Sequence, residues 1–245
     1  MAQTLVTNSP APSAAKSLPA RIAGVIFAPR ATYADVAARP RALGVLLFVI
    51  AVAACGVFAF MSTDVGKNAF LDSQVQQRES FGRPLTDAQY EQLERIVPYA
   101  PYFGAGFQIV ALPLAAAVIA AIALAVFNAL LGGDGTFKQA FAIVAHSGVV
   151  LSVAQLFGLP LAYARQTLSS ATNLGVFAPF LDESSFAARL LGAIDLFIVW
   201  WMISLAIGLA VLYRKRTGPI AAGLLVLYVA IGIVIAAVKT AMSGA

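Results

Sequence analysis

The sequence predicts an all-α integral membrane protein: a five-transmembrane-helix bundle with cytoplasmic amphipathic helices and an extracytoplasmic helical hairpin. Three observations predict it. First, 60% of the 245 residues are hydrophobic and 11% charged, against roughly 45–50% and about 25% in soluble domains; so few charges cannot cover a soluble surface, and disorder needs the opposite composition. Second, five stretches can each cross roughly 30 Å of hydrocarbon at about 1.5 Å per residue. Third, basic residues gather beside alternate ends of these stretches, the bias that orients membrane helices.

The predicted spans are 42–61, 103–131, 141–164, 190–213 and 220–238. The first, second and fifth carry no charge, the third only His146 as a titratable group and the fourth only Asp195. An odd number of crossings puts the termini on opposite sides. With the N-terminus cytoplasmic, the inner side holds Lys16, Arg21, Arg30, Arg39, Arg41, Lys138, Arg214, Lys215 and Arg216, nine of the 16 Lys and Arg. The long loop at 62–102 sets four basic residues against six acidic ones. The orientation read from this is N-terminus in, C-terminus out. The formal charge of +5 is then a map of sidedness, and nucleic acid is not expected as a partner. Residues 1–15 hold no charge and no apolar run of signal-peptide length, so no cleavable signal is expected. Residues 1–17 read as a flexible cytoplasmic tail ahead of a single membrane domain at 18–240.

Two short helices precede the first span. Ser17 caps one over 18–27, with Pro19 in its first turn and Pro29 as its stop. Thr32 starts the next through a T-x-x-D capping box with Asp35, and Pro40 ends it. Their apolar residues (Ile22, Val25, Ile26, Phe27, Tyr33, Val36) lie beside basic ones, as in helices of the headgroup layer. They read either as an anchor for the first span or as a contact surface made by Arg21, Arg30, Tyr33, Arg39 and Arg41. In the 41-residue loop, 64–80 is polar and helix-compatible, Gly82-Arg83-Pro84 is a turn, and Thr86 with Gln89 caps a second helix that Pro98 and Pro101 end. Tyr90, Leu93 and Val97 share one face. This hairpin is a connector or a partner surface, with Tyr90 and Leu93 as its candidates.

Ionisable groups within a bilayer are costly and default to functional hypotheses. Asp195 is read either as a carboxylate in the outer headgroup layer at a helix N-terminus, or as buried and facing Gln108 at equal depth. His146 is either satisfied by backbone or Asn128, or part of a proton relay or ligand site. Gln155 completes the polar set. One His and one Cys, Cys55, cannot build a metal constellation; no nucleophile has an adjacent base, and Gly132, Gly133 and Gly135 lack the Lys of a phosphate loop. No catalytic residue, metal or cofactor is expected. Pro113 and Pro160 interrupt spans two and three. Small residues recur at close-packing spacing as Ala121, Ala125 and Ala129, as Ser204 and Gly208, and as Gly232 and Ala236. Trp200 and Trp201 lie inside span four, so at least one packs on a neighbouring helix.

The segment Ile26-Phe27-Ala28-Pro29-Arg30-Ala31-Thr32-Tyr33, followed by Arg39-Pro40, resembles the entry signature of the Yip (Ypt/Rab-interacting protein) domain. Gly133-Asp134-Gly135-Thr136-Phe137-Lys138 with Ala145-His146-Ser147 resembles its central segment, and Asp195-Leu196-Phe197-Ile198-Val199-Trp200 with Ile207-Gly208-Leu209 its fourth span. The Gln-rich hairpin is similar to an insertion of prokaryotic members. The resemblance runs from about Leu18 to Lys239 and implies a five-span, non-enzymatic membrane protein. Eukaryotic members bind Rab-type GTPases in vesicle traffic; the short N-terminal tail departs from their pattern, and a Rab-type GTPase is not expected here. No ligand role passes to His146, because Ala145 stands where the family often has an aromatic residue.

The expected function is that of a scaffold or adaptor in membrane organisation, or a partner subunit of a membrane complex. Membrane lipids, other membrane proteins or a second copy are its expected partners. The alternative is a lipid or small-solute translocator using Asp195, Gln108, His146, Asn128 and Gln155. An Ala-rich chain with eleven Arg to five Lys points to a bacterial source, and so to a multi-pass protein of the inner membrane.

Overall fold

The computed structural model describes residues 16–182 and 184–242; apart from Lys16 and Ser17, the tail assigned to 1–17 lies outside them. Among the described residues the regular structure is helical, with one isolated antiparallel bridge, Asn173 to Asp195. Two entry helices, α1 (Leu18–Phe27) and α2 (Pro29–Ala38), lead into α3 (Leu43–Met61). The hairpin α4 (Asp64–Glu79) and α5 (Asp87–Ile96) follows, then α6 (Ala100–Leu124), which ends in a π-helical turn, Ala125–Leu130. After a glycine turn come α7 (Phe137–Arg165), α8 (Phe186–Ala193), α9 (Leu196–Leu212) and α10 (Thr217–Met242).

Helix starts follow local chemistry. Ser17 Oγ accepts from Ala20 N. Thr86 with Gln89 and Thr136 with Gln139 each form a reciprocal capping box, which satisfies two otherwise orphaned N–H groups per box. In the second entry helix the cap is misplaced by the sequence reading. That helix begins at Pro29 instead of Thr32, since proline is pre-organised for a first turn where its missing N–H is harmless. Thr32 is then interior to the helix and fully buried, and Asp35 is taken by Arg21 and Arg39.

Among the described residues four helices are long and apolar enough to cross a membrane: α3, the stretch Asp87–Leu130, α7 and α10. The second differs from expectation. The hairpin helix α5 ends at Ile96, ahead of Pro98 as expected, but a 3₁₀ turn, Val97–Tyr99, joins it without a gap to α6, and both prolines stand at first-turn positions where no helical N–H is needed. Pro113 and Pro160 sit inside α6 and α7, which run through them.

The predicted fourth span, 190–213, is broken. It divides into α8, an extended pair Ile194-Asp195, and the 17-residue α9, about 25 Å of helix at 1.5 Å per residue. Freed backbone groups inside a bilayer must find partners, and here they do. Leu174 N donates to Ile194 O and Leu196 N to Thr172 O, while Asp195 N donates to the Tyr228 hydroxyl on α10.

Helix α7 is the centre of the bundle. In its most apolar window 61% of residues are buried, against 11–22% in the other three long helices. Small residues at Ala140, Ala142 and Ala145 let α1, α2, α3, α6 and α9 approach it. On α9, Ser204 and Gly208 face the core; a Cβ on Gly208 would stand 3.1 Å from Tyr33 Cδ1 and closer still to Ile143. Gly232 and Ala236 are buried on α10. The stripe Ala121, Ala125 and Ala129 faces outward, and Ala116, Ala120, Ala123 and Phe127 form the inner face of that helix instead. The error is one of phase: both sets have helical spacing, and spacing alone does not choose a face.

Candidate functional site

Charge and polarity collect at the two ends of the bundle. At one end, α1 and α2 fold back over α7 and α9. Arg21 Nε donates to Asp35 Oδ2 at 2.8 Å and its guanidinium also to Arg39 O, while Arg39 Nη1 reaches Asp35 Oδ1 at 3.3 Å. Arg21 and Asp35 side chains are only 4% and 12% exposed, so the pair is withdrawn from water and shielded from salt. Lys16 Nζ donates to Thr32 Oγ1. The Thr32 hydroxyl occupies the space a Cβ on Gly24 would need, which makes the glycine a condition of the α1–α2 contact.

Below this pair, the Tyr33 and Ser204 hydroxyls share a 2.7 Å hydrogen bond. Tyr33 is fully buried, and burial pushes its phenol above the ordinary range although the Ser204 bond works the other way. Gln139 Nε2 donates to Ala37 O, tying α7 to the end of α2. His146 lies in the same layer with no exposed surface. Its Nδ1 is 2.7 Å from Ala142 O; a carbonyl only accepts, so Nδ1 carries the proton and Nε2 presents a lone pair with no partner among the described residues. Ser147 donates to Val144 O and accepts from Trp201 Nε1 at 3.0 Å. The indole is thus fixed against α7.

The glycine turn closes this end. Tyr213 stacks on Phe127 with ring centroids 4.5 Å apart, and Cβ atoms on Gly133 or Gly135 would stand 2.7–2.8 Å from the Tyr213 ring. Only glycine lets the backbone pass so close. Asn128 Nδ2 donates to Gly135 O, so Asn128 serves this turn and is not the partner of His146.

At the other end sits the break before α9. Asp195 accepts at Oδ1 from Phe197 N and Ile198 N, and at Oδ2 from Thr172 Oγ1 at 2.7 Å and from Ser170 Oγ. Asp195 is the N-cap of α9, and its own charge already satisfies that helix's positive end. Gln108 is not among its partners, and the expected pairing of the two gives way to the shorter reach of Ser170 and Thr172. Gln155 Nε2 donates to Ala53 O on α3 at 3.0 Å. The five polar candidates are therefore not brought to one place.

The contact-surface candidates divide as well. Arg21 and Tyr33 are interior and hold the entry helices down; Arg39 is partly covered. Arg30, Arg41 and Tyr90 are exposed, and Leu93 is half-buried. Ser170, Thr172, Ser204 and Tyr228 were not singled out as partners in the sequence; only the polar run 167–173 beside the fourth span and the Ser204–Gly208 spacing pointed toward them. Among the described residues no group of three or more His, Cys, Asp or Glu comes together as a metal site.

Most of the motif segments thus lie at one end, where Tyr33 packs beside Gly208, Gly133 and Gly135 pass the Tyr213 ring, and Ser147 holds Trp201, while Asp195 lies at the other. The Yip1 domain model matches residues 23–238. No curated protein and no solved structure matches the chain significantly. Among the described residues the match covers α2 to α9 in full, the second half of α1 and all but the last turn of α10, and on it the chain belongs to the Yip1 domain family of membrane proteins.

Proposed function

We propose that the protein is a non-enzymatic scaffold or adaptor of a bacterial inner membrane, crossing it five times with α8–α9 as the fourth passage, N-terminus cytoplasmic and C-terminus outside. One observation carries the reading. The entry helices are tied to each other by Arg21–Asp35 and to the bundle by Tyr33–Ser204 and by Gln139 Nε2 on Ala37 O, which leaves Phe27, 86% exposed, with Arg30 and Arg41 as a fixed outer surface. A pre-formed surface loses little conformational freedom on binding. Purification in mild detergent tests it: a stoichiometric membrane-protein partner or homo-oligomer is expected, lost on Phe27→Ala with Arg30→Gln, and a persistently monomeric, partnerless protein counts against it.

A translocator is the second reading, favoured by the helix break at Asp195, since discontinuous helices occur at transport sites. Its test is lipid flip in reconstituted vesicles. Rates equal to those of empty vesicles, unaffected by Asp195→Asn or His146→Ala, remove the lipid version.

A further inference from the structure

Large apolar side chains stand exposed in the loop that leads to the break before α9. They are Val176, Phe177, Phe180 and Phe186, with Phe177 66% and Phe180 83% exposed. Single exposed apolar residues are ordinary, but four within eleven positions, three of them aromatic, make a patch of the kind that marks a contact surface. The run 171–181 carries no charge. Polar groups around it are committed elsewhere: Thr172 Oγ1 donates to Asp195, Asn173 Nδ2 donates to Ser170 O and its Oδ1 accepts from Val176 N, and Asp182 accepts from Ser184. Arg189 lines a hollow with Gln76 and Ser170.

Depth says what covers the patch. Arg214, Lys215 and Arg216 mark the inner end of α9, whose 17 residues rise about 25 Å from there; any tilt shortens that rise. Hydrocarbon is roughly 30 Å thick, so Asp195 stands no higher than the outer edge of the acyl layer. The loop is pinned at the same level. Leu174 N donates to Ile194 O at 2.9 Å and Leu196 N to Thr172 O at 3.1 Å. The 3₁₀ turn Leu174–Phe177 rests on α8, where a Cβ on Gly175 would stand 3.3 Å from Gly192 N.

Helix α10 gives the same depth independently. A Cβ on Gly232 would stand 3.6 Å from both Ala193 Cβ and Leu190 Cδ1, so α8 lies against α10 at that residue. Lys239, the next charge along α10, is seven residues farther out, about 10 Å. Between them Val234, Ile235 and Val238 are exposed, as on a helix that still faces lipid.

We propose that the segment 174–193 lies in the boundary layer of the outer leaflet, with Val176, Phe177, Phe180 and Phe186 among the acyl chains. The partner of this surface is lipid, and burial of its apolar area supplies the attraction. The loop and α8 thereby complete on the outer side a fourth passage that α9 alone leaves short. This placement rests on α9 crossing the membrane, as proposed, and the two readings fail separately.

Electron paramagnetic resonance of single nitroxide labels tests it, on the full chain in phospholipid nanodiscs and a Cys55→Ala background. Phe177→Cys and Phe180→Cys carry the label in turn. Val234→Cys is the lipid reference, and Arg83→Cys, exposed in the hairpin turn, the aqueous one. Oxygen concentrates among acyl chains and a neutral nickel chelate in water, so the ratio of their collision rates reports depth. Ratios at 177 and 180 several-fold above that of Arg83→Cys, and close to that of Val234→Cys, are expected. Water-like ratios at both positions beside a lipid-like Val234→Cys overturn the proposal and leave the crossing intact; a water-like Val234→Cys overturns both. Weak collision with both reagents means that a protein partner or a second copy covers the patch, which also overturns it. Both phenylalanines are largely exposed, so their replacement removes little packing, and should one variant not fold the other carries the test.

Discussion

Replacing Asp35 by Asn tests whether the entry helices are held by a buried charge pair. Arg21 is 4% exposed at its side chain and its Nε lies 2.8 Å from Asp35 Oδ2, so an amide at 35 leaves a guanidinium buried without its counter-charge. Breaking such a pair from one side costs about 3–5 kcal/mol. Arg39, 34% exposed, adds little, because an exposed partner is screened by water and salt. The opposite holds when both charges go. Arg21→Met with Asp35→Leu removes the desolvation penalty together with the attraction, and such replacements are often neutral or stabilising.

The pair joins α1 to α2, so the proper readout is local: hydrogen exchange across residues 18–38 in detergent or nanodiscs. At roughly 1.4 kcal/mol per factor of ten, Asp35→Asn should speed exchange of the most protected α1 and α2 amides by about a hundredfold to several thousandfold, with α7 unaffected. The apolar double variant should return to within about tenfold of the wild type. Exchange unchanged by Asp35→Asn, or a double variant as labile as the single, would refute the argument that the pair is buried and works as a unit.

Three further outcomes follow from the packing. Gly208→Val forces a side chain against Tyr33 and Ile143 and should destabilise by about 1–3 kcal/mol, seen as faster exchange in α2; Gly223→Ala, where a Cβ meets nothing within 4 Å, should be neutral or stabilise by up to about 1 kcal/mol. Asp195→Ala removes the N-cap of α9 and should cost about 0.5–2 kcal/mol. The first amides of α9 should therefore exchange faster in that variant, and unchanged exchange would dissociate Asp195 from the start of the helix. In a Cys55→Ala background, an impermeant maleimide should label Ser80→Cys in intact cells and Gly218→Cys only after permeabilisation, and the reverse pattern overturns the proposed orientation.

What could be read from the sequence was what depends on neighbours along the chain. The capping box at Thr86, the Ser17 cap and the apolar runs are local patterns, and the helices start accordingly. The glycine turn before Thr136 was also legible, though not its reason, since the Tyr213 ring that demands Gly133 and Gly135 comes from 78 or more residues later. The misreadings share one origin. Asp35 looked like a cap for Thr32 because the two are three apart; in the fold Arg21, 14 residues earlier, claims it. Asp195 looked like the partner of Gln108 because their depths matched; Ser170 and Thr172 arrive instead from a loop whose course no periodicity foretells. The break in the fourth span was hidden by composition, because 190–213 stays apolar on both sides of a two-residue interruption that tertiary hydrogen bonds sustain.

The distribution of polar groups bears on which function the bundle suits. A translocation route needs polar groups in succession along one passage, each able to release what it binds. On the central helix α7, His146 and Ser147 lie near one end and Gln155 eight residues beyond Ser147, about 12 Å at 1.5 Å per residue. Between them Val149 and Val150 are buried and apolar, and Gln155 is turned to Ala53 on α3 while Ser147 is turned to Trp201 on α9. The two groups face different neighbours across a packed layer. Asp195, which a helix break could have opened to a substrate, spends its acceptor sites on its own N-terminal amides and two hydroxyls. Ser147 and Gln155 are each committed to holding one helix against another, and Asp195 to the start of its own helix and the loop beside it, which is the arrangement of a rigid platform, and it leaves the variable chemistry to the surfaces at the two ends.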